Sequence, residues 1–134
     1  MQQNVKVLLI RGLPGSGKTT MAKKMEGFVH FEADMFLEVD GVYIYDSSKV
    51  RSAHDWCLES TKAALERGDK VVVSNTFTKA WEIQPYVDLG FPFEVIEATG
   101  NWESIHGVPV EKIDLMRARW EPLPEILENL QIKK

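Results

Sequence analysis

The sequence predicts an α/β fold, a three-layer sandwich around a small, mostly parallel sheet of about four strands. Two observations predict it. Short apolar runs alternate with stretches that carry helix signals. Strands that read as unbroken apolar runs are those covered on both faces by crossover helices. The first run is also joined to the first helix by a glycine-rich segment, Gly12-Leu-Pro-Gly-Ser-Gly-Lys-Thr19.

Val5–Arg11 reads as the first strand, buried on both faces, and Gly17–Met25 as the first helix. Phe28-Val-His-Phe-Glu32 is a short second strand with Asp34 at its carboxyl end. Val39–Tyr45 reads as a small hairpin or loop turning at Asp40-Gly41, a pair suited to a type I′ turn. Asp46-Ser47-Ser48 is a capping cluster for a longer helix, Lys49 to Arg67, with Val50, Ala53, Cys57, Ala64 and Leu65 near helical spacing. Gly68-Asp69 ends it. Lys70–Val73 is the third strand and Ser74-Asn75-Thr76 its end. Lys79–Leu89 is expected as a helix interrupted or restarted around Pro85. Phe93–Ile96 is the fourth strand. Pro109 marks the start of a helix running to Trp120, and Pro122 and Pro124 are read as its stop. The remainder, Leu123–Lys134, is expected as a tail with one helical turn. The whole chain, 1–134, is read as a single domain with a lid region at 98–121 and the tail at 122–134.

Gly12–Thr19 fits G-x-x-x-x-G-K-[ST], the phosphate-binding P-loop, and it lies between a strand and a helix as that motif requires. The fold class is therefore refined to a P-loop NTPase. Glycines let successive N–H groups point at one anion, and the helix start adds a favourable partial charge. Gly12, Pro14, Gly15, Ser16, Gly17, Lys18, Thr19 and Thr20 are the expected nucleotide-binding residues. Lys18 is assigned to the β- and γ-phosphates and the Thr19 hydroxyl to Mg²⁺. A plain strand-to-helix turn needs neither a lysine nor a hydroxyl at that point. ATPases, GTPases and small-molecule kinases share the motif, so it does not name the reaction.

With 134 residues, 44% of them hydrophobic, the chain suits one compact core. No apolar run approaches the roughly 20 residues of a membrane-spanning helix. Met1-Gln-Gln-Asn4 leads directly into the first strand, which leaves no room for a signal peptide. Cys57 is the single cysteine, so neither an internal disulfide nor a cysteine metal cage is expected, and a cytoplasmic setting is. A net charge of −4 and a pI near 5.4 argue against broad, charge-driven nucleic-acid binding. They leave room for a narrow basic cleft that grips one strand end.

Ligands in parallel sheets sit beyond the carboxyl ends of the strands. Gly12–Thr19, Asp34 and Ser74–Thr76 all fall there. Asp34 is the expected general base, a carboxylate able to accept the proton of an attacking hydroxyl. Asn75 and Thr76 end the third strand where many P-loop proteins carry an aspartate, and they are candidates to bond metal-bound water, phosphate or Asp34. Arg117 and Arg119 lie on the lid helix, two residues apart and so on different sides. Arg119 is the expected arginine for charge on the transferring phosphoryl group. His54 on the long helix reads as structural when taken alone, and His106 sits beside the lid. Neither has a second ligand at metal spacing, so no zinc site is expected. Trp56, Trp81, Trp102 and Trp120 are expected mostly as core anchors, with Trp102 the one placed to touch a base or ring. Tyr43 and Tyr45 alternate with Val42 and Ile44 and should share one face, with packing the expected use.

The order of these pieces resembles the polynucleotide-kinase-like P-loop family, ATP-binding AAA-domain proteins, and in particular its small phage and bacterial members. The resemblance is carried by Arg11–Thr20, Glu32-Ala-Asp-Met-Phe36, Gly41-Val-Tyr43, Ala53-His-Asp-Trp-Cys57, Val73-Ser-Asn-Thr76, Trp81-Glu82 with Pro85-Tyr86, and His106-Gly-Val-Pro109 with Met116-Arg-Ala-Arg-Trp-Glu121. It covers nearly the whole chain. It implies ATP- and Mg²⁺-dependent phosphorylation, typically of a polynucleotide 5′-hydroxyl. Asp34 matches the family's general base, Lys18 and Thr19 its phosphate and metal contacts, and His54 its Ala-His pair. The choice of ATP over GTP rests on this resemblance.

The chain also departs from the family pattern. Ser74-Asn75-Thr76-Phe77 stands where members often have Asp-Asn-Thr-Asn, and Gly100 precedes Asn101 where an arginine is common. Phe36, Leu37 and Glu38 follow Asp34 where an arginine is common. Two other readings therefore stand beside a polynucleotide kinase: a kinase for a small molecule such as a nucleoside, sugar or antibiotic, and a non-catalytic ATP-binding regulatory module.

Overall fold

The computed structural model describes residues 4–44, 46–100 and 110–132. Strands β1 (Val7–Arg11), β2 (Phe28–Phe31), β5 (Lys70–Asn75) and β6 (Phe93–Glu97) form one sheet in the order β2-β5-β1-β6, every pairing parallel. A separate hairpin pairs β3 (Glu38–Val39) with β4 (Val42–Tyr43). Its turn residues, Asp40 at φ 51° and Gly41 at φ 81°, carry the two positive φ values of the expected type I′ turn. The helices are α1 (Lys18–Lys23), α2 (Val50–Glu66), α3 (Ala80–Val87), α4 (Val110–Ala118) and α5 (Leu123–Asn129). Asp46 accepts the backbone N–H of Ser48 and starts the 3-10 turn Ser47–Lys49 that leads into α2.

β1 and β5 are central, which explains their apolar runs. Every residue of β1 is buried, and in β5 only Lys70 is partly exposed. Two apolar layers cover the sheet. One collects Val7, Leu9, Val71 and Val73 with Ala53, Cys57, Ala64 and Leu65 of α2 and Ile83, Tyr86 and Val87 of α3. The other collects Leu8, Ile10 and Val72 with Ala22 of α1. Alternate residues of the same strand thus serve opposite layers, as the period of two demands.

Three expectations are corrected. Pro85 does not interrupt α3, which runs unbroken from Ala80 to Val87. A proline removes one backbone bond, and the burial of Ile83, Tyr86 and Val87 on both sides of it holds the helix. Trp81 is 71% exposed and anchors no core, because the buried face of α3 runs through Ala80, Ile83 and Val87. Leu123–Lys134, expected as a tail, contains the seven-residue α5. Pro122 and Pro124 flank its start, where a missing N–H costs nothing, and Ile126 and Leu130 are buried in the larger layer. Among the described residues no helix is long and apolar enough to cross a membrane.

Asn101, Trp102, His106 and Pro109 lie outside the described residues, so the roles expected of Trp102 and His106 and the start of the lid helix fall there. Tyr45 also lies outside them, and with it the face expected to be shared with Tyr43.

Candidate active site

The glycine loop leaves the central strand β1 and enters α1. Gly15 at φ 84° and Gly17 at φ 88° hold left-handed backbone that residues with a Cβ avoid. Gly12 is tight for a different reason. A Cβ built on it falls 2.1 Å from Ser16 Oγ and 3.2 Å from the Ala98 Cβ at the end of β6. The loop is closed on itself by Ser16 N–H donating to Leu13 O at 3.0 Å, and tied to the segment after β6 by Gly100 N–H donating to Ser16 O at 3.0 Å. Gly17 caps α1 with no side-chain acceptor, so no protein side chain caps the first turn. Ser16 Oγ is buried with no hydrogen-bond partner. These features suit a phosphate group, which supplies the acceptors that such a loop lacks. Pro14 is half-buried in the loop and Thr20 is exposed on α1.

Lys18 opens α1 after β1 and Asp34 follows β2, so both lie beyond the carboxyl ends of the strands. Burial pushes the Lys18 ammonium below its usual pKa, and Asp34, then Glu32, oppose the shift as the nearest charges. Asp34 sits in the 3-10 turn Ala33–Leu37 that follows β2. Trp56 of α2 braces that turn, with its ring 6.1 Å from Phe36 and 6.0 Å from Phe31. Asn75 fixes the other side, its Oδ1 accepting the Ala33 N–H at 2.9 Å and its Nδ2 facing Cys57 Sγ at 3.7 Å. Asn75 thus acts on the backbone beside Asp34. Thr76, half-exposed, ends the strand without a described hydrogen bond of its side chain.

Two residues of this site were missed by the sequence reading. Glu32, 7% exposed, takes the Thr19 hydroxyl at 2.8 Å and the Ser74 hydroxyl at 2.9 Å on the same oxygen, Oε2. His30 Nε2 lies 2.7 Å from Ser74 Oγ and 3.6 Å from Glu32 Oε2. Burial opposes ionisation of Glu32, yet the neighbouring His30 ring and the hydrogen bonds from Thr19 and Ser74 prevail and hold its carboxyl down to about 2. The signal was present. Glu32 directly follows β2, two residues before Asp34, and the argument from strand ends that selected Asp34 applies equally to it.

Other candidates stand apart from this cluster. His54 is exposed on α2. Arg119 is exposed just after α4 and makes no ion pair among the described residues, while Arg117 lies 3.8 Å from Asp114. Arg11 turns away from the loop. It is fully buried, donating to Phe77 O at 3.0 Å and Glu121 O at 2.7 Å.

The profile of the family described as AAA domain matches residues 7–107. Human NEDD4-binding protein 2 is 31% identical over 155 aligned positions, which cover 94% of this chain and 9% of that protein. The fold is similar to a chain in the structure of the Pnkp1/Rnl/Hen1 RNA repair complex, with a TM-score of 0.65 at 16% identity over 99% of this chain and 48% of that one. A candidate kinase from Chloroflexus aurantiacus gives 0.65 at 19% identity, covering 91% and 84% of the two chains. A sugar kinase from Janibacter gives 0.52 at 19% identity, covering 97% and 80%. At these identities the structures speak to the fold. Together with the family match over residues 7–107 and the glycine loop between β1 and α1, they establish that the chain belongs to the AAA-domain family and has the fold of the P-loop kinases.

Proposed function

We propose that the chain transfers the γ-phosphate of ATP to an acceptor hydroxyl with Mg²⁺, and that the acceptor is a polynucleotide 5′-hydroxyl. The observation that carries this reading is the glycine loop between β1 and α1, whose buried Ser16 Oγ has no hydrogen-bond partner and whose first helical turn has no side-chain cap. Backbone N–H groups of Gly15, Gly17, Lys18 and Thr19, the Ser16 hydroxyl and the Lys18 ammonium hold the polyphosphate, with Gly12, Pro14 and Thr20 shaping the loop around it. Asp34 accepts the proton of the acceptor hydroxyl as its oxygen attacks the γ-phosphorus and ADP departs. Thr19 would hold the magnesium ion, which when bound neutralises negative charge on the phosphates. Asn75 keeps Asp34 in place through the Ala33 backbone. Arg119, from a lid at 98–121 whose described part is mainly α4, closes on the transferring group. His54, Thr76 and His106 are assigned to the acceptor side.

A second reading, a small-molecule kinase, is favoured by Phe36, Leu37 and Glu38, which follow Asp34 without a cation, and Phe36 is 39% exposed there. One experiment separates the readings. The protein is incubated with γ-labelled ATP, Mg²⁺ and 5′-hydroxyl DNA and RNA oligonucleotides, with Lys18→Ala as control. Label on the oligonucleotide that disappears in the variant establishes the polynucleotide kinase. ATP binding without label transfer overturns that acceptor and moves the assay to nucleosides, sugars and antibiotics. Failure with all of these leaves a non-catalytic ATP-binding module.

A further inference from the structure

β5 ends in Ser74 and Asn75, with Thr76 next, so the strand beside β1 brings no acid to the glycine loop. An acid nevertheless reaches Thr19, and it comes from the next strand along. Phe31 of β2 pairs with Val73 of β5, which sets the following residues, Glu32 and Ser74, side by side at the carboxyl edge. Glu32 Oε2 accepts the Thr19 hydroxyl at 2.8 Å and the Ser74 hydroxyl at 2.9 Å, and His30 Nε2 lies 2.7 Å from Ser74 Oγ. We propose that Glu32 is a positioning residue for the metal at Thr19, and that Ser74 serves to hold this acid in place.

The argument is geometric. A hydroxyl that gives its proton to a carboxylate keeps its lone pairs for another partner, and its rotor is fixed by the bond. Outer partners of this kind orient the group that touches a metal, and removing one typically weakens metal binding by roughly 10–100-fold. Glu32 is buried and its Oε2 is bonded twice, so it keeps one orientation. Its negative charge adds to the attraction for a cation placed at Thr19. Ser74 and Glu32 then act as a pair, with a hydroxyl near the end of β5 and the carboxylate on the residue that follows β2.

The proposal rests on the reading of Gly12–Thr19 as an ATP–Mg²⁺ site, and the test keeps the two apart. ATP affinity is measured by titration calorimetry with and without Mg²⁺, and Mn²⁺ binding to the ATP complex by electron paramagnetic resonance. Four proteins are compared: the wild type, Glu32→Gln, Glu32→Ser, and the exchange Glu32→Ser with Ser74→Asp. The wild type should bind ATP more tightly with Mg²⁺; if it does not, the reading of the loop itself fails. Glu32→Gln should bind metal-free ATP as well as or better than the wild type, because a negative charge has gone, while its affinity for the metal falls roughly 10–100-fold. The exchange variant should recover most of that loss. A purely structural Glu32 would instead change metal-free and metal-bound affinities together. Glu32→Gln with the wild-type metal response overturns the proposal. If Glu32→Gln does not fold, the exchange variant decides, and a folded exchange variant that binds the metal no better than Glu32→Ser alone overturns it.

Discussion

The guanidinium of Arg11 lies flat against Trp120, 3.7 Å from the ring centroid. One residue ends the central strand β1 and the other follows α4, so this stack seats the segment after α4 on the sheet. Arg11 also donates to the carbonyls of Phe77 and Glu121, and Glu97 lies 3.6 Å away. Phe77 is a bulky residue at φ 47°, and its backbone conformation turns that carbonyl onto Arg11. Arg11→Met leaves both carbonyls without their donor and removes the stack. It should lower stability by about 3 kcal/mol or more, from lost charged hydrogen bonds and the cation–π contact. Trp120→Leu should cost about 1 kcal/mol, since only the stack is lost. Urea unfolding with an unchanged slope measures both. An Arg11→Met midpoint equal to that of Trp120→Leu would sink the hydrogen-bond half of the argument.

Glu32 predicts an acid limb of stability. Its carboxyl is held at about 2 in the folded chain, against an ordinary glutamate value of 4.5. A carboxylate whose pKa is depressed by folding stabilises the fold above the unfolded value and loses that contribution as pH falls through the folded one. The loss therefore spans about pH 4.5 down to about 2. Glu32→Gln cannot titrate, so its unfolding midpoint should fall less steeply across that window than the wild type's. Parallel curves would mean that the hydrogen bonds from Thr19 and Ser74 do not favour the ionised form.

Asp34→Asn separates binding from chemistry. The amide keeps the size of the side chain but cannot take a proton. It also removes the charge that most supports the Lys18 ammonium. ATP binding should therefore be unchanged or tighter, while the transfer rate to whichever acceptor is found falls roughly 10²–10⁴-fold, the usual contribution of a general base. Single-turnover kinetics with labelled ATP give both quantities. A variant that transfers at the wild-type rate removes Asp34 from the chemistry.

What the sequence made legible follows from how local each signal is. The strand order is not local, but the apolar runs Val7–Arg11 and Lys70–Asn75 announce buried parallel strands, and the glycine loop announces its own fold. Asp40-Gly41 needs only two residues to specify a turn. The C-terminal helix was lost because proline carries opposite meanings at the two ends of a helix. Pro122 and Pro124 were read as ending α4, whereas they start α5. Glu32 was missed because its meaning lies in register. Nothing within its own strand shows that Ser74 and Thr19, from two other elements, point hydroxyls at one of its oxygens. Asn75 was legible as a strand-end polar residue, yet its partner, the Ala33 backbone, becomes visible only once β2 and β5 are paired.

Gly12→Ala tests how closely the phosphate loop is packed. The added Cβ would lie 2.1 Å from Ser16 Oγ, 3.1 Å from Ser16 Cβ and 3.2 Å from Ala98 Cβ. Ser16 is buried and its backbone is held by Leu13 and Gly100, so its Cβ stays close even if the hydroxyl rotates away. Overpacking of this kind typically costs about 1–3 kcal/mol. The displaced loop should also lose nucleotide affinity, because its N–H groups no longer converge on one anion. Gly12→Ala combined with Ser16→Gly removes the two shortest contacts and leaves only Ala98 at 3.2 Å, so the pair should regain part of the stability lost by Gly12→Ala alone. Thermal unfolding and ATP titration on the single and double variants check this. If Gly12→Ala matched the wild type in both, the glycine would serve neither close packing nor phosphate binding.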